Sequence, residues 1–136
     1  EALLSLYEDL GYPTTASNLA RCLEIILSQP HYSYLLAERN GEILGFLDYA
    51  KLFFFEVAGS YYRILALSVA KEVRRQGIAN KLINKLKKQA VKEGIKVLAL
   101  NSGLTAKRNV AHWFYQAVGF EKVTAGFALY LKSQHK

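Results

Sequence analysis

The hydrophobic period of the chain changes near Arg75, and this change constrains the fold more than any other feature. Residues 61–69 predict a strand, whereas after Arg75 apolar side chains recur at helical spacing and lysines take the opposite side. Gly94 ends this predicted helix, and residues 97–100 form a wholly apolar segment, typical of a central parallel strand covered on both faces. A strand, a helix and a strand in this order predict a βαβ unit and therefore an α/β fold.

The rest of the chain predicts two helices at the front, an antiparallel meander, and one further helix and strand. In chain order, these elements are a helix over residues 1–10, a helix after Thr14 that ends by Pro30, a strand over 34–38, a long strand from Glu42 that continues through Phe53 and Phe55 as a bent or separate strand, a helix over 107–118 capped by Gly119, and a strand over 127–131. Asn40-Gly41 is the strongest hairpin signal. Without an internal repeat or linker, the sequence predicts a single domain over residues 1–136.

Composition and charge exclude several classes of protein. The chain has 136 residues, enough for one hydrophobic core, and its longest apolar run is far too short to span a bilayer. The single cysteine, Cys22, excludes an intrachain disulfide, and its apolar helical setting predicts a buried thiol. The absence of a visible secretory signal predicts a cytoplasmic protein, and the start at Glu1 in mid-pattern predicts an upstream segment. The net charge of +7 favours an anionic partner without choosing among nucleic acid, a membrane surface and a phosphorylated cofactor.

Residues 71–82, KEVRRQGIANKL, join the strand to the lysine-rich helix. The N-terminus of a helix carries unpaired N–H groups and a partial positive charge, so it binds phosphate where the backbone is accessible. Gly77 supplies that access, because it has no side chain, and Arg74 and Arg75 add charge. Taken alone, this stretch is equally well explained as an ordinary charged helix start. It matches neither the Walker loop nor the three-glycine dinucleotide fingerprint.

Two segments together resemble a known family. Arg74-x-x-Gly77-x-Ala79 is similar to the Gln/Arg-x-x-Gly-x-Gly/Ala signature of the GCN5-related N-acetyltransferases, known as the GNAT family. Residues 108–120, RNVAHWFYQAVGF, resemble the closing segment of that family. The chain departs from the family pattern at residues 70–73, where a proline is common. It also lacks the usual leading strand, which we expect upstream of residue 1.

The resemblance implies the GNAT acyl-CoA N-acyltransferase fold. This is a mixed, mostly antiparallel central sheet flanked by helices, with a splay between the two central parallel strands. It also implies acetyl-CoA as co-substrate, with the pyrophosphate at the glycine turn and the pantetheine arm along the strand before it. The cofactor-binding residues implied in this way are Leu67, Ser68, Val69, Arg74, Arg75, Gln76, Gly77, Ile78, Ala79, Asn80, Arg108, Asn109 and Tyr115.

The implied reaction is direct attack of a primary amine of a small molecule or peptide on the thioester. Tyr115 lies where the family's tyrosine commonly donates to the coenzyme A sulfur, although core packing is an alternative role. An ammonium with a pKa near 10.4 is free base in only about one molecule per thousand at pH 7.4, so we expect a general base. Asp48 is the preferred candidate because it interrupts an apolar strand. Glu56 and Glu72 remain alternatives, as do His31 and His112, and for each of the three acids a solvated surface position is the competing interpretation.

The same residues also bear on other functions and on possible partners. A non-catalytic acyl-CoA-binding sensor of the same fold is the main alternative to an enzyme. The lysines of the helix after Arg75 are spaced as an ordinary solvent face, so we expect no nucleic acid partner, and we expect no membrane partner. The three histidines lack the spacing of metal ligands, which predicts no metal. The phenylalanine-rich run 53–55 favours a covered surface such as a homodimer interface.

Overall fold

The computed structural model describes residues 2–100, 119–121 and 128–131. It divides the chain into two compact units, Glu1–Leu100 and Asn101–Lys136. The elements of the first unit are, in chain order, α1 (Ala2–Asp9), α2 (Ala16–Leu27), β1 (Tyr32–Arg39), β2 (Glu42–Phe53), β3 (Ser60–Val69), a short 3-10 turn (Lys71–Val73), α3 (Ile78–Lys92) and β4 (Leu98–Leu100).

The strands form one sheet in the order β1-β2-β3-β4. The pairs β1–β2 and β2–β3 are antiparallel, and β3–β4 is parallel. This arrangement confirms the predicted mixed, mostly antiparallel sheet. The described pairing of β3 with β4 covers Tyr62 to Ile64 and stops where described β4 stops, at Leu100. The predicted splay beyond that point therefore stays a prediction.

The first hairpin is closed by the predicted dipeptide. Asn40 and Gly41 both have positive φ, at 55° and 80°. Two consecutive residues in this region give the primed turn whose twist matches a two-residue hairpin. Because the register follows from the turn, this dipeptide helps to fix Tyr34 opposite Asp48.

Helices α1 and α3 pack on opposite faces of the sheet. The ring of Tyr7 in α1 stacks on Phe46 of β2 at 5.4 Å between centroids. The next residue of β2, Leu47, points to the other face, because side chains alternate along a strand. On that face α3 buries an apolar stripe consisting of Ile78, Leu82, Ile83, Leu86 and Ala90, while its lysines stay outside as predicted. The two faces therefore have separate environments, one under α1 and one under α3.

The C-terminal end of α3 is fastened to the sheet through Glu93. The hydroxyl of Tyr62, which is buried, donates to Glu93 Oε1 at 2.6 Å, and Lys51 Nζ lies 3.7 Å from the same oxygen. These contacts, with the hydrogen bond from Tyr62 first, lower the pKa of the Glu93 carboxyl. The carboxylate form is therefore favoured in the folded protein.

Several predicted elements differ from the structure. The helix predicted from Arg75 begins at Ile78, because Gly77 adopts the left-handed conformation and precedes the first turn. The long strand is continuous and ends at Phe53, while Phe55 is almost fully exposed. Residues 128–131 belong to no strand, so the closing strand predicted over 127–131 is wrong for these four residues. The other predicted C-terminal element, the helix over 107–118, lies outside the described residues.

The prediction of a buried Cys22 is also wrong. Helix α2 buries only Leu19 fully, with Leu23 and Ile26 half-buried on the same stripe. Cys22 lies off that stripe and is exposed. Cys22 has apolar neighbours in the sequence, but it does not lie on the face of α2 that packs against the sheet. In the described ranges, no helix combines the length and the apolar character that a membrane crossing requires.

Glu93→Ala should lower the free energy of unfolding by about 1 kcal/mol at pH 7, because the buried Tyr62 hydroxyl loses its acceptor. Urea denaturation measures this difference. Glu24→Ala, at an exposed position of α2, is the control and should change it by less than about 0.5 kcal/mol. Since the pKa of Glu93 is lowered on folding, its contribution is present above 4.5, its ordinary value, and is lost as the pH falls through the lowered pKa. An equal loss at pH 7 and in acid would contradict this role.

Candidate active site

The connection from β3 to α3 has an unusual backbone. It leaves the sheet at Val69, makes the short 3-10 turn, and enters α3 through two residues with positive φ, Arg75 at 67° and Gly77 at 80°. A left-handed conformation is common for glycine but costs a residue with a side chain about 1 kcal/mol. The strained Arg75 is a reason to look for function in this loop.

The N-terminus of α3 is open to an anion. Gly77 is the N-cap and no side chain caps the helix, whose first turn contains no acidic residue. The first intrahelical bond is the one from Lys81 N to Gly77 O at 3.0 Å, so the preceding N–H groups of Ile78, Ala79 and Asn80 have no partner within the helix. A Cβ built on Gly77 would meet no atom within 4 Å, which means that the space in front of the loop is open.

The charge of Arg74 is largely engaged by the protein itself. Its Nε donates to the carbonyl of Val69 at 3.1 Å, and its Nη2 lies 3.6 Å from Asp9 Oδ2. Lys71 Nζ lies 3.6 Å from the other oxygen of Asp9. Arg74 therefore holds the loop against β3 and α1. The sequence predicted only a charge at this position and not these contacts.

Arg39 approaches the same loop from the end of β1. Its Nη1 lies 3.5 Å from Gln76 Oε1, across 37 positions of sequence. Both side chains are exposed, as is Arg75. Sequence reasoning missed Arg39, because only the β1–β2–β3 pairing brings it to the loop. In the described part of the chain, Arg75 and Arg39 are thus the arginines most available to a bound anion here.

The C-terminal half of β3 is held close to β2. Gly45 lies opposite Val69, and a Cβ on Gly45 would come within 2.8 Å of the carbonyl oxygen of Ser68. Ser68 is buried and its hydroxyl donates to the carbonyl of Leu6 in α1 at 3.1 Å. Leu67, Ser68 and Val69 thus form a rigid strand end that leads directly into the glycine loop.

A bulge interrupts β3 beside Asp48. The register pairs Asp48 with Ala66 and Tyr49 with Ile64, which leaves Leu65 without a partner. Bulges change the direction of nearby side chains and are frequent next to active sites. The bulge lies in the strand along which the resemblance implies the pantetheine arm.

Asp48 is buried at the centre of the sheet. It is 5% exposed, and its Oδ1 has no hydrogen-bond partner among the described residues. Burial raises the pKa of the carboxyl from 3.8 to about 6, and a hydrogen bond with Tyr34 acts in the opposite direction. A buried carboxylate oxygen without a donor is unfavourable unless a ligand or water supplies one. Such a group, poised near neutral pH, is typical of a general base.

The other candidate residues are distributed differently. Glu56, Glu72 and His31 are exposed, and the His31 ring contacts Phe53 at 5.7 Å between centroids. Four further site candidates, Arg108, Asn109, His112 and Tyr115, lie outside the described residues. Within the described ranges, no group of three or more His, Cys, Asp or Glu side chains could hold a metal ion. The prediction of no metal stays a prediction.

A groove of about 390 Å³ lies on the α3 side of β1. Leu35 and Leu82 contribute to its apolar lining, and Arg39, Lys81 and Lys85 contribute positive charge. In the strand register Leu35 pairs with Leu47, whereas Tyr34 pairs with Asp48. The groove therefore lies on the face of the sheet opposite Asp48.

The open helix N-terminus, the strand end that leads into it and the bulge beside a buried carboxyl combine features suited to an anion and to a buried acid along one strand. Comparison with known proteins identifies the family. The sequence profile of the Acetyltransferase (GNAT) family matches residues 2–120. The chain belongs to this family.

Three similar proteins are acetyltransferases. An aminoalkylphosphonate N-acetyltransferase from Salmonella typhimurium strain LT2 is 30% identical over 96 residues, which are 71% of this chain and 61% of that protein. The chain thus spans less than two thirds of the length of this relative. A GNAT family acetyltransferase from Staphylococcus aureus USA300_TCH1516 is 32% identical, with a TM-score of 0.81 over 96% of this chain and 87% of the other. An aminoglycoside acetyltransferase from an uncultured soil sample is 27% identical, with a TM-score of 0.76 over 96% and 88%.

Asp48→Asn should stabilise the folded protein at pH 8. A carboxyl whose pKa rises from 3.8 to about 6 on folding destabilises the native state above pH 6, and the effect vanishes as the pH falls to the unfolded value. We expect the free energy of unfolding to rise by about 1–3 kcal/mol at pH 8 and the gain to shrink towards pH 4. Urea denaturation at both pH values measures this. A variant less stable than wild type at pH 8 would contradict an unfavourable buried charge.

Proposed function

We propose that the protein is an acetyl-CoA-dependent N-acetyltransferase that acts on the primary amine of a small molecule. The observation that carries this proposal is that β3, which leads into the open N-terminus of α3, also pairs with the buried Asp48 beside its bulge. Membership of the GNAT family supports the reaction type. Two relatives are named for their substrates, an aminoalkylphosphonate and aminoglycosides, and these support a small amine as acceptor.

The loop around Gly77 is proposed to hold the pyrophosphate of coenzyme A. The unpaired N–H groups at residues 78–80 and the partial charge of the helix dipole supply the main interactions. Arg75 adds full charge, and Arg39 lies within reach of the same loop. Ile78 is buried and Ala79 half-buried, so at these two positions the backbone is the part available to a ligand.

The strand end formed by Leu67, Ser68 and Val69 is proposed to pair with the pantetheine arm. The N–H near Val69 would then donate to the thioester oxygen and stabilise the charge that develops there. The anchoring of Ser68 to Leu6 and the close approach of Gly45 keep this backbone fixed. A donor that does not have to move when charge develops is worth more than a mobile one.

Asp48 is proposed as the general base. The ammonium of the acceptor would donate to Asp48 Oδ1, the oxygen that lacks a partner among the described residues. The carboxylate takes a proton, and the amine nitrogen then attacks the carbonyl carbon of the thioester. A C–N bond forms, the C–S bond breaks, and the thiolate of coenzyme A leaves and takes up the second proton that the nitrogen loses as the amide forms. Tyr115, outside the described residues, is proposed to donate a hydrogen bond to that thiolate.

Gly77→Asp should abolish the binding of acetyl-CoA, because a carboxylate would occupy the open space in front of the helix N-terminus and repel the phosphates. Isothermal titration calorimetry measures the affinity. The matched control is Gly94→Asp at the other end of α3, where φ is 76° and the surrounding space is equally open. Both substitutions carry the same backbone strain. If Gly77→Asp and Gly94→Asp bind acetyl-CoA with equal affinity, the cofactor does not bind at this loop.

Asp48→Asn should lower kcat for amine acetylation by about 10²- to 10⁴-fold, the usual contribution of a general base. In the wild type, activity should rise with pH through about 6, because the carboxylate form is the active one. Thiol release from acetyl-CoA, followed from pH 5 to 9, measures both. If Asp48→Asn is unaffected while Glu56→Gln or Glu72→Gln loses activity, the base is one of those residues instead.

A panel of amines separates the enzyme from a sensor of the same fold. The panel should contain an aminoalkylphosphonate, an aminoglycoside and a short peptide, each assayed for thiol release and for product mass. Binding of acetyl-CoA without release of thiol for any amine would favour the sensor. Acetylation of the peptide alone would overturn the small-molecule acceptor.

A further inference from the structure

Three elements bring the side chains of Tyr7, Tyr34 and Asp48 together. Tyr34 on β1 lies directly opposite Asp48 on β2 in the strand register. The hydroxyl oxygens of Tyr7 and Tyr34 are 2.5 Å apart. Both rings also pack on Phe46, at 5.4 and 5.5 Å between centroids. Packing thus fixes the phenol rings. Their hydroxyls contact each other, and Tyr34 lies opposite the buried carboxyl.

The direction of the hydrogen bonds follows from chemistry. Tyr34 lies opposite Asp48 in the register and lowers the pKa of that carboxyl; because an ionised carboxylate only accepts, the interaction requires the Tyr34 hydroxyl as donor. With its single proton used in this way, the Tyr34 oxygen must accept the proton of Tyr7. The chain therefore runs from Tyr7 to Tyr34 to Asp48, and both hydroxyls stabilise the carboxylate.

We propose that Tyr34, held in place by Tyr7, is a positioning residue that keeps Asp48 in its carboxylate form and leaves Oδ1 for the ammonium of the acceptor. This inference rests on the proposed function, because it assigns a partner to the proposed base. It also narrows the acceptor to an amine that enters as a cation, since the oxygen left over is an acceptor with no donor among the described residues.

The electrostatic surroundings agree with this role. Burial, followed by the contact with Tyr7 and the charge of Asp48, raises the pKa of Tyr34 far above its ordinary value, so Tyr34 remains a donor. From β3, the uncharged Ala66 lies opposite Asp48. Helix α1 contributes Tyr7, a titratable group, to this hydrogen-bonded series. Asp9 of the same helix is paired with Lys71 and Arg74 instead. Tyr34 is thus the described side chain that offsets the burial of Asp48.

The test combines a pH–rate profile with a direct titration of the carboxyl. Tyr34→Phe should move the acid limb of kcat/KM upward by about one pH unit, the effect of losing one hydrogen bond to an ionised group. The rate at pH 6 then falls about five-fold, whereas the rate at pH 8.5 barely changes. Carbon-13 NMR of labelled aspartate should find the same upward shift for the Asp48 carboxyl. Tyr7→Phe should shift both readings in the same direction by a smaller amount.

Tyr32→Phe is the matched control, because Tyr32 occupies the same face of β1 but lies opposite Ala50. It should leave both readings unchanged. Unshifted readings in Tyr34→Phe, or equal shifts in Tyr32→Phe, overturn the proposal. If the wild type turns over no amine, the proposed function fails separately. In that case the NMR titration still decides whether Tyr34 sets the pKa of Asp48. If Tyr34→Phe does not fold, the shift of the Asp48 pKa in Tyr7→Phe decides the same question.

Discussion

The antiparallel pairing of β2 with β3 supports the described parts of the candidate active site. It runs from Gly45 opposite Val69 to Phe53 opposite Ser60. At one end, the close approach of Gly45 fixes the strand that leads into the glycine loop. Near its middle, the bulge at Leu65 lies beside Asp48. A change in this register would displace Asp48 and the loop around Gly77 together, because side chains change face with every one-residue slip.

Burial of Asp48 links stability to chemistry. The same desolvation that raises its pKa towards neutrality also makes the ionised form unfavourable in the folded protein. Hydrogen bonding from Tyr34 reduces this cost without removing it. Were the carboxyl fully satisfied by protein donors, its pKa would fall and no oxygen would remain for an acceptor. The partial satisfaction of Asp48 is therefore consistent with a role as base rather than with a structural role.

Local signals in the sequence predicted the backbone well where one residue decides the conformation. Asn40-Gly41 predicted the hairpin, because few other residues tolerate positive φ. Gly77 predicted an accessible backbone, because it has no side chain, although the helix begins at Ile78 and not at Arg75. Asp48 stood out as an acid in an apolar strand. Contacts made across the fold gave no local signal, and neither the engagement of Arg74 by Asp9 nor the approach of Arg39 could be predicted. The exposed Cys22 has a related cause: the pattern placed an apolar stripe on α2, but only tertiary packing decides how much of a helix is covered.

In the described part of the chain, the charges around the loop are partly engaged by the protein itself. Arg74 is used to hold the loop to Val69 and Asp9, so its contribution is largely positional. What faces the open space is backbone N–H from the first turn of α3, oriented by the left-handed Gly77. Backbone donors are fixed by the helix and lose no side-chain entropy on binding, whereas a long cationic side chain loses about 1.5–2 kcal/mol when it is ordered. The proposed phosphate site therefore depends on the glycine and the helix that follows it more than on the described arginines.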